Sequence, residues 1–267
     1  MVEITGLYIH PVKGARPVPV DSVQVDETGF QGDREFAVFR EGVRCNAKAI
    51  PALMFLEAGW EGSSLQLSYP DREPFVLENV LSGTAGIEAF RGGETPVMDM
   101  GDDVAGWLSL ILAEKVRLCR VAKPTPFIIP LPEFTAVHGK DQTRFIDAAP
   151  LMLANQSSLD DLNQRLAQPV EMARFRPNIV VQGLAPYAED EQATFSFDEV
   201  ELIQVAPCER CAVVTMDLAT AETGKEPLAM LAGYRRRENH YAGGVMFGTY
   251  LAIGSGGRLS VGQRLKD

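Results

Sequence analysis

Along the first hundred residues, apolar side chains come in short bursts separated by turn-forming residues. Residues 4–9, 18–25 and 35–39 are β-prone runs, punctuated by Pro11, Gly14, Pro17, Pro19, Gly29 and Gly32. Residues 53–56, 65–69 and 75–77 continue the pattern, which predicts short strands of a barrel or sandwich rather than strand–helix–strand units. The spacing then changes. Val104, Trp107, Leu108, Ile111 and Leu112 recur three and four apart and predict a helix with one apolar stripe. Asp102 and Asp103 are expected to cap it and to favour the positive end of its dipole. Residues 116–121 read as a strand. Pro124, Pro126, Pro130 and Pro132 then predict an irregular connection, or a loop over a site.

The second half mixes both periods. Residues 151–153 predict a buried strand. Two overlapping capping boxes begin at Ser157 and Ser158, with Leu159, Leu162 and Leu166 as the apolar face of the helix they open. Strands are expected at 178–181, 200–205, 212–216, 245–253 and 259–261, and Pro227 opens a last helix carrying Leu228, Leu231 and Tyr234. The expected fold class is α+β, rich in β, with domains at 1–121 (barrel-like) and 122–267 (strands with peripheral helices).

Composition narrows the function classes. The 267 residues are 46% hydrophobic and 23% charged, enough for a sizeable core. A net charge of −11 with no basic block excludes nucleic acid and anionic membrane as partners. An anionic small ligand requires Lys and Arg side chains to converge from separate segments. The chain opens without a basic-then-apolar secretory pattern, and nowhere runs to about 18 consecutive apolar residues. Cys45, Cys119, Cys208 and Cys211 make no disulfide framework in so long a chain. A cytoplasmic protein with reduced thiols is expected.

Cys208-Glu209-Arg210-Cys211 is the sharpest chemical feature. A C-x-x-C unit is read as half of a zinc site, as a thiol–disulfide centre, as one thiolate on a soft metal beside a structural cysteine, or as two inert thiols. No second tight pair supports zinc, and the β-prone run after Cys211 does not suit the helix N-terminus of a redox motif. A strand beginning there fixes the direction of Cys211, whereas Cys208 is expected in the turn after Pro207. Arg210 between them favours a thiolate and matches phosphate oxygens. His10-Pro11-Val12-Lys13-Gly14 offers a backbone nest with a lysine beside it. Thr28-Gly29-Phe30-Gln31-Gly32-Asp33-Arg34 is a glycine-rich turn that lacks the P-loop pattern. Phe175-Arg176-Pro177-Asn178 sets an Arg and an Asn about a proline that is expected to hold Arg176 extended.

Taken in order, these segments resemble the MOSC proteins with an N-terminal MOSC β-barrel domain, the group of the amidoxime-reducing components. The resemblance also runs through Ser158-Leu159-Asp160-Asp161-Leu162-Asn163, Tyr187-Ala188-Glu189-Asp190, Thr215-Met216-Asp217 and Phe247-Gly248-Thr249-Tyr250. It implies a molybdenum cofactor, molybdenum held in a pterin dithiolene, with Cys211 as the protein ligand and catalytic residue. It implies contacts to that cofactor from Lys13, Gly14, Arg34, Asp147, Ala148, Ala149, Arg176, Asn178, Glu209, Arg210 and Tyr250. The implied reaction is reduction of an N–O bond in a small-molecule N-hydroxylated substrate. Asp147 is a candidate proton donor. Electrons are expected from a separate protein, ferredoxin-like or cytochrome b5-like with a reductase, since no C-x4-C-x2-C motif is present. Three positions depart from the family: Gly14 stands where Ser is usual, and Ala148-Ala149 where Thr-Ser is usual. The alternatives are a sulfur or cofactor carrier, with a persulfide on Cys208 or Cys211, and a scaffold without metal.

Overall fold

The computed structural model describes residues 1–90, 93–123, 125–126, 142–238 and 243–266. Its largest sheet draws on both ends of the chain. The strand order is Thr194–Phe197, Val200–Glu209, Gly244–Ser255, Leu151–Asn155, Ile179–Gln182, Glu3–Ile9, Val18–Val20, with Arg236–Arg237 added beside Gly244–Ser255. All neighbours are antiparallel except Leu151–Asn155 and Ile179–Gln182. A parallel pair requires a crossover, and the helix Gln156–Arg165 lies in it. Leu151, Leu153, Ile179, Val181, Ile4 and Leu7 bury one face of this sheet in a common core with Phe195 and Phe197.

The first half contributes an antiparallel sheet ordered Thr84–Phe90, Gly93–Asp99, Arg117–Val121, Phe36–Arg40, Val43–Arg44, and a meander of Glu57–Glu61, Ser64–Tyr69 and Arg72–Leu77. The helix Asp102–Leu112 lays Val104, Leu108, Ile111 and Leu112 onto the barrel-like core these strands enclose. Gly257–Ser260 returns from the C-terminus to pair with Ser22–Asp26. Strands from the two ends of the sequence therefore interleave across the expected boundary at 121. No described helix is long and apolar enough to cross a membrane.

Several local expectations are corrected. Residues 53–56 are not a strand: Pro51–Phe55 forms a 3₁₀ turn, because Pro51 pre-sets a helical φ and Leu53 and Met54 bury into the core. Asp102 and Asp103 lie in the first helical turn, but Gly101 is the cap residue, its N–H donating to Asp99 Oδ1 at 2.9 Å. Asn155, not Ser157 or Ser158, caps the next helix by accepting from Ser157 N, and Ser158 Oγ turns inward to Glu189. Residues 212–216 do not continue the sheet. Ala212–Thr215 is a 3₁₀ turn that buries Val214, and its β-branched residues pair with no strand among the described residues. Of the proline-rich stretch, Thr125–Pro126 pairs with Gln142–Thr143; residues 124 and 127–135 lie outside the described part.

Candidate functional site

A cleft of about 340 Å³ opens where the end of strand Glu3–Ile9, the turn before Phe36–Arg40, the entry to Ile179–Gln182 and the end of Val200–Glu209 meet. The cofactor contacts that the resemblance implies all line it: Lys13, Gly14, Arg34, Asp147, Ala148, Ala149, Arg176, Asn178, Glu209, Arg210, Cys211 and Tyr250. Lys13, Arg34, Arg176 and Arg210 thus converge in a chain whose net charge is −11.

Each cation is aimed by a local device. Lys13 is buried, its Nζ donating to Phe145 O at 3.1 Å and pairing with Asp147 Oδ2 at 2.7 Å. Burial lowers its pKa to about 8 although Asp147 opposes that shift. Asp147 itself, 63% exposed at the mouth, is held at about 2: local desolvation pushes it up, and Lys13, Arg44 and Arg34 outweigh this. Arg34 adopts φ 49° and bonds Asp33 and Asn178 Oδ1. Arg176 is not extended as Pro177 predicts. It closes the 3₁₀ turn Met172–Phe175 at φ 54°, with its N–H on Ala173 O and Nη1 on Ala15 O at 2.7 Å. Burial and Arg34 lower its pKa to about 10. Asn178 is a strut as much as a lining residue. Its Oδ1 accepts from Met152 N and Arg34, and its Nδ2 donates to Tyr8 O.

The two cysteines differ in a way the spacing hides. Cys208 lies on the strand Val200–Glu209, not in a turn, and is buried. Burial raises its thiol pKa, and Arg210 Nη1 donates to its sulfur at 2.8 Å. Cys211 is exposed and sits between that strand and the following 3₁₀ turn. Arg210 Nη2 donates to Phe175 O, while its buried Nε has no partner among the described residues. Gly14 has φ +87°, and a Cβ there would meet Ala47 N at 3.2 Å, so this chain cannot readily carry the family's serine at that position. Sequence reasoning missed Asn46, Ala47 and Lys48, which also line the cleft. Asn46 Oδ1 caps Lys48 N, an Asx-turn signal that marks a turn but not what it faces. Among the described residues no three His, Cys, Asp or Glu side chains gather to chelate a metal unaided.

Residues 1–115 match the MOSC N-terminal beta barrel domain and residues 136–266 the MOSC domain. Over 97% of its length the chain is 32% identical to mitochondrial amidoxime-reducing component 1 of Mus musculus, covering 80% of that protein. It is 31% identical to the Homo sapiens component 1 over 97% of this chain and 81% of that one. For Danio rerio component 1 the figures are 31%, 97% and 83%. The chain belongs to the MOSC family that includes the amidoxime-reducing components. The cytoplasmic expectation is overturned here, because eight such relatives all carry "mitochondrial" in their names. That expectation rested on the lack of a secretory pattern, which does not discriminate among other compartments.

Proposed function

We propose that the cleft holds a molybdenum–pterin cofactor and that the chain reduces N-hydroxylated compounds, releasing the oxygen as water. The observation that carries this reading is the meeting of one exposed cysteine, Cys211, with four cations from distant segments. The donor set fits the group. One soft thiolate completes a metal that brings its own dithiolene sulfurs, and Lys13, Arg34 and Arg176 match a phosphate. The buried Arg210 Nε is a donor with no acceptor among the described residues. The names of the relatives point the same way.

When bound, the molybdenum centre supplies the two-electron chemistry that an N–O bond requires. The chain's own residues do the rest. Cys211 offers its sulfur from a position fixed by the strand end before it and the 3₁₀ turn after it. Cys208 anchors the Arg210 guanidinium from below. Water formation consumes protons, and Asp147, held at about 2, is ionised at neutral pH and does not supply them. The proton of the Lys13–Asp147 pair rests on Nζ. Electrons come from a separate donor protein.

The test is expression of the full chain in a host that makes the cofactor, followed by metal and pterin analysis and dithionite-driven reduction of an amidoxime. Stoichiometric molybdenum with turnover is expected. Cys211→Ala should abolish turnover and alter the molybdenum spectrum while pterin is retained; Cys208→Ala should keep most turnover. Sulfane sulfur without molybdenum would instead make the chain a carrier, and full turnover by Cys211→Ala would end the thiolate assignment.

A further inference from the structure

His10 lies directly beneath the two arginine turns and has no part in the reading above. Its side chain is fully buried. Its backbone carbonyl accepts from Arg34 N at 2.8 Å, and its backbone N–H donates to Asp33 Oδ1 at 2.6 Å. Its ring Nε2 lies 3.3 Å from Pro177 O, the carbonyl one residue beyond Arg176. A carbonyl only accepts, so Nε2 carries the proton and Nδ1 is left as a lone pair. That Nδ1 is buried without a partner among the described residues. A phenyl ring would fill the same space with no orphaned atom, so the donor at Nε2 is the feature that sets histidine apart here.

The groups facing the ring agree. Arg34 and Arg176 are the charged groups that act on it, and Asp33 is spent on His10 N and on Arg34. Burial and the two guanidiniums lower the ring's pKa well below its ordinary value. A charged imidazolium would add a third cation and a second N–H with nothing to receive it. Both arginines sit in left-handed backbone, at φ 49° and φ 54°, a conformation that persists in non-glycine residues only when neighbours enforce it.

We infer that uncharged His10 is a positioning residue of the anion cradle, its ring tying the Arg176 turn to the Arg34 turn so that both guanidiniums face one phosphate. This rests on the reading of the cleft as an anion site. The probe is inorganic phosphate, titrated calorimetrically into the full chain made without cofactor, with pterin occupancy of the chain made with it as a second readout. His10→Phe is expected to weaken phosphate binding about three- to tenfold and lower occupancy, the loss of one hydrogen bond's worth of order. His10→Gln, which restores an N–H near Nε2, is expected to stay within about twofold of the parent. Parent-like binding by His10→Phe, or equal loss in both variants, overturns the inference and leaves the cleft reading intact. Failure of the parent chain to bind phosphate removes both. Should His10→Phe not fold, ring ¹⁵N shifts of the parent chain decide: an uncharged ring protonated at Nε2 on both sides of pH 6.5 is expected. An imidazolium, or a proton on Nδ1, overturns the inference.

Discussion

Lys13 and Asp147 show how little a residue type says about its charge state. An exposed carboxylate ordinarily titrates near 4, yet Asp147 sits at about 2 because Lys13 is 2.7 Å away with Arg44 and Arg34 behind it. Its folded pKa lies below the unfolded 3.8. The stabilisation is therefore full above 3.8 and is lost as pH falls through about 2. Solvent at the mouth screens the pair and reduces its worth. Thermal melts of cofactor-free Asp147→Asn and the parent chain should differ near neutrality and converge between these two values. A gap that persists unchanged below about 2 would show that the ion pair is not its source. Sequence reasoning placed both residues in one site through the family resemblance. It could not see that the carboxylate stays ionised below its ordinary range, because that depends on charges brought together by folding.

Among the elements, the paired strands Val200–Glu209 and Gly244–Ser255 bring Cys208, Glu209 and Tyr250 to the cleft. Their register shifts between Gln204 and Ala206 and again between Pro207 and Glu209, next to the residues that line the site. Bulges re-aim side chains in this way. Gly248, in the facing strand, has φ +73°, and a Cβ there would lie 2.6 Å from Leu153 O. Gly248→Ala is expected to cost about 2–4 kcal/mol, combining left-handed strain with overpacking. It should also lower cofactor occupancy by displacing Tyr250 two residues on. Urea unfolding measures the first effect and pterin analysis the second. A stability loss under about 0.5 kcal/mol would mean that the strand relaxes around the new methyl. Alternation and propensity found the strands but not these irregularities. They also assigned residues 212–216 to a strand, since Val-Val-Thr is locally β-prone, whereas Val214 N on Cys211 O and Met216 N on Val213 O close a 3₁₀ turn there.

For the molecule as a whole, the interleaved strands carry a consequence for stability. Residues 3–7 of the first strand pair with Ile179–Gln182, and Gly257–Ser260 with Ser22–Asp26. Ile4 and Leu7 complete the core that the C-terminal strands bury. Residues 122–267 expressed alone should therefore remain unfolded or aggregate, exposing an unpaired sheet edge. The intact chain should melt in a single calorimetric transition. A well-dispersed NMR spectrum from 122–267 would show instead that the C-terminal part is self-sufficient.

What the sequence by itself determined is whatever depends on near neighbours and on motif order. The helix over Asp102–Leu112 follows from its three-and-four spacing, most strands from their apolar runs, and part of the cleft lining from segments shared with a family. Tertiary structure alone decided the rest. Arg176 turns left-handed against the preference imposed by Pro177 because Ala173 O and Ala15 O hold it there. Cys208 and Cys211, equivalent by spacing, part because one lies on a buried strand and the other beyond its end. The first strand joins the last domain because its apolar face finds its match in Ile179 and Val181, some 170 residues away. Burial, charge proximity and strand partnership are long-range quantities, set by contacts that the chain makes only once it has folded.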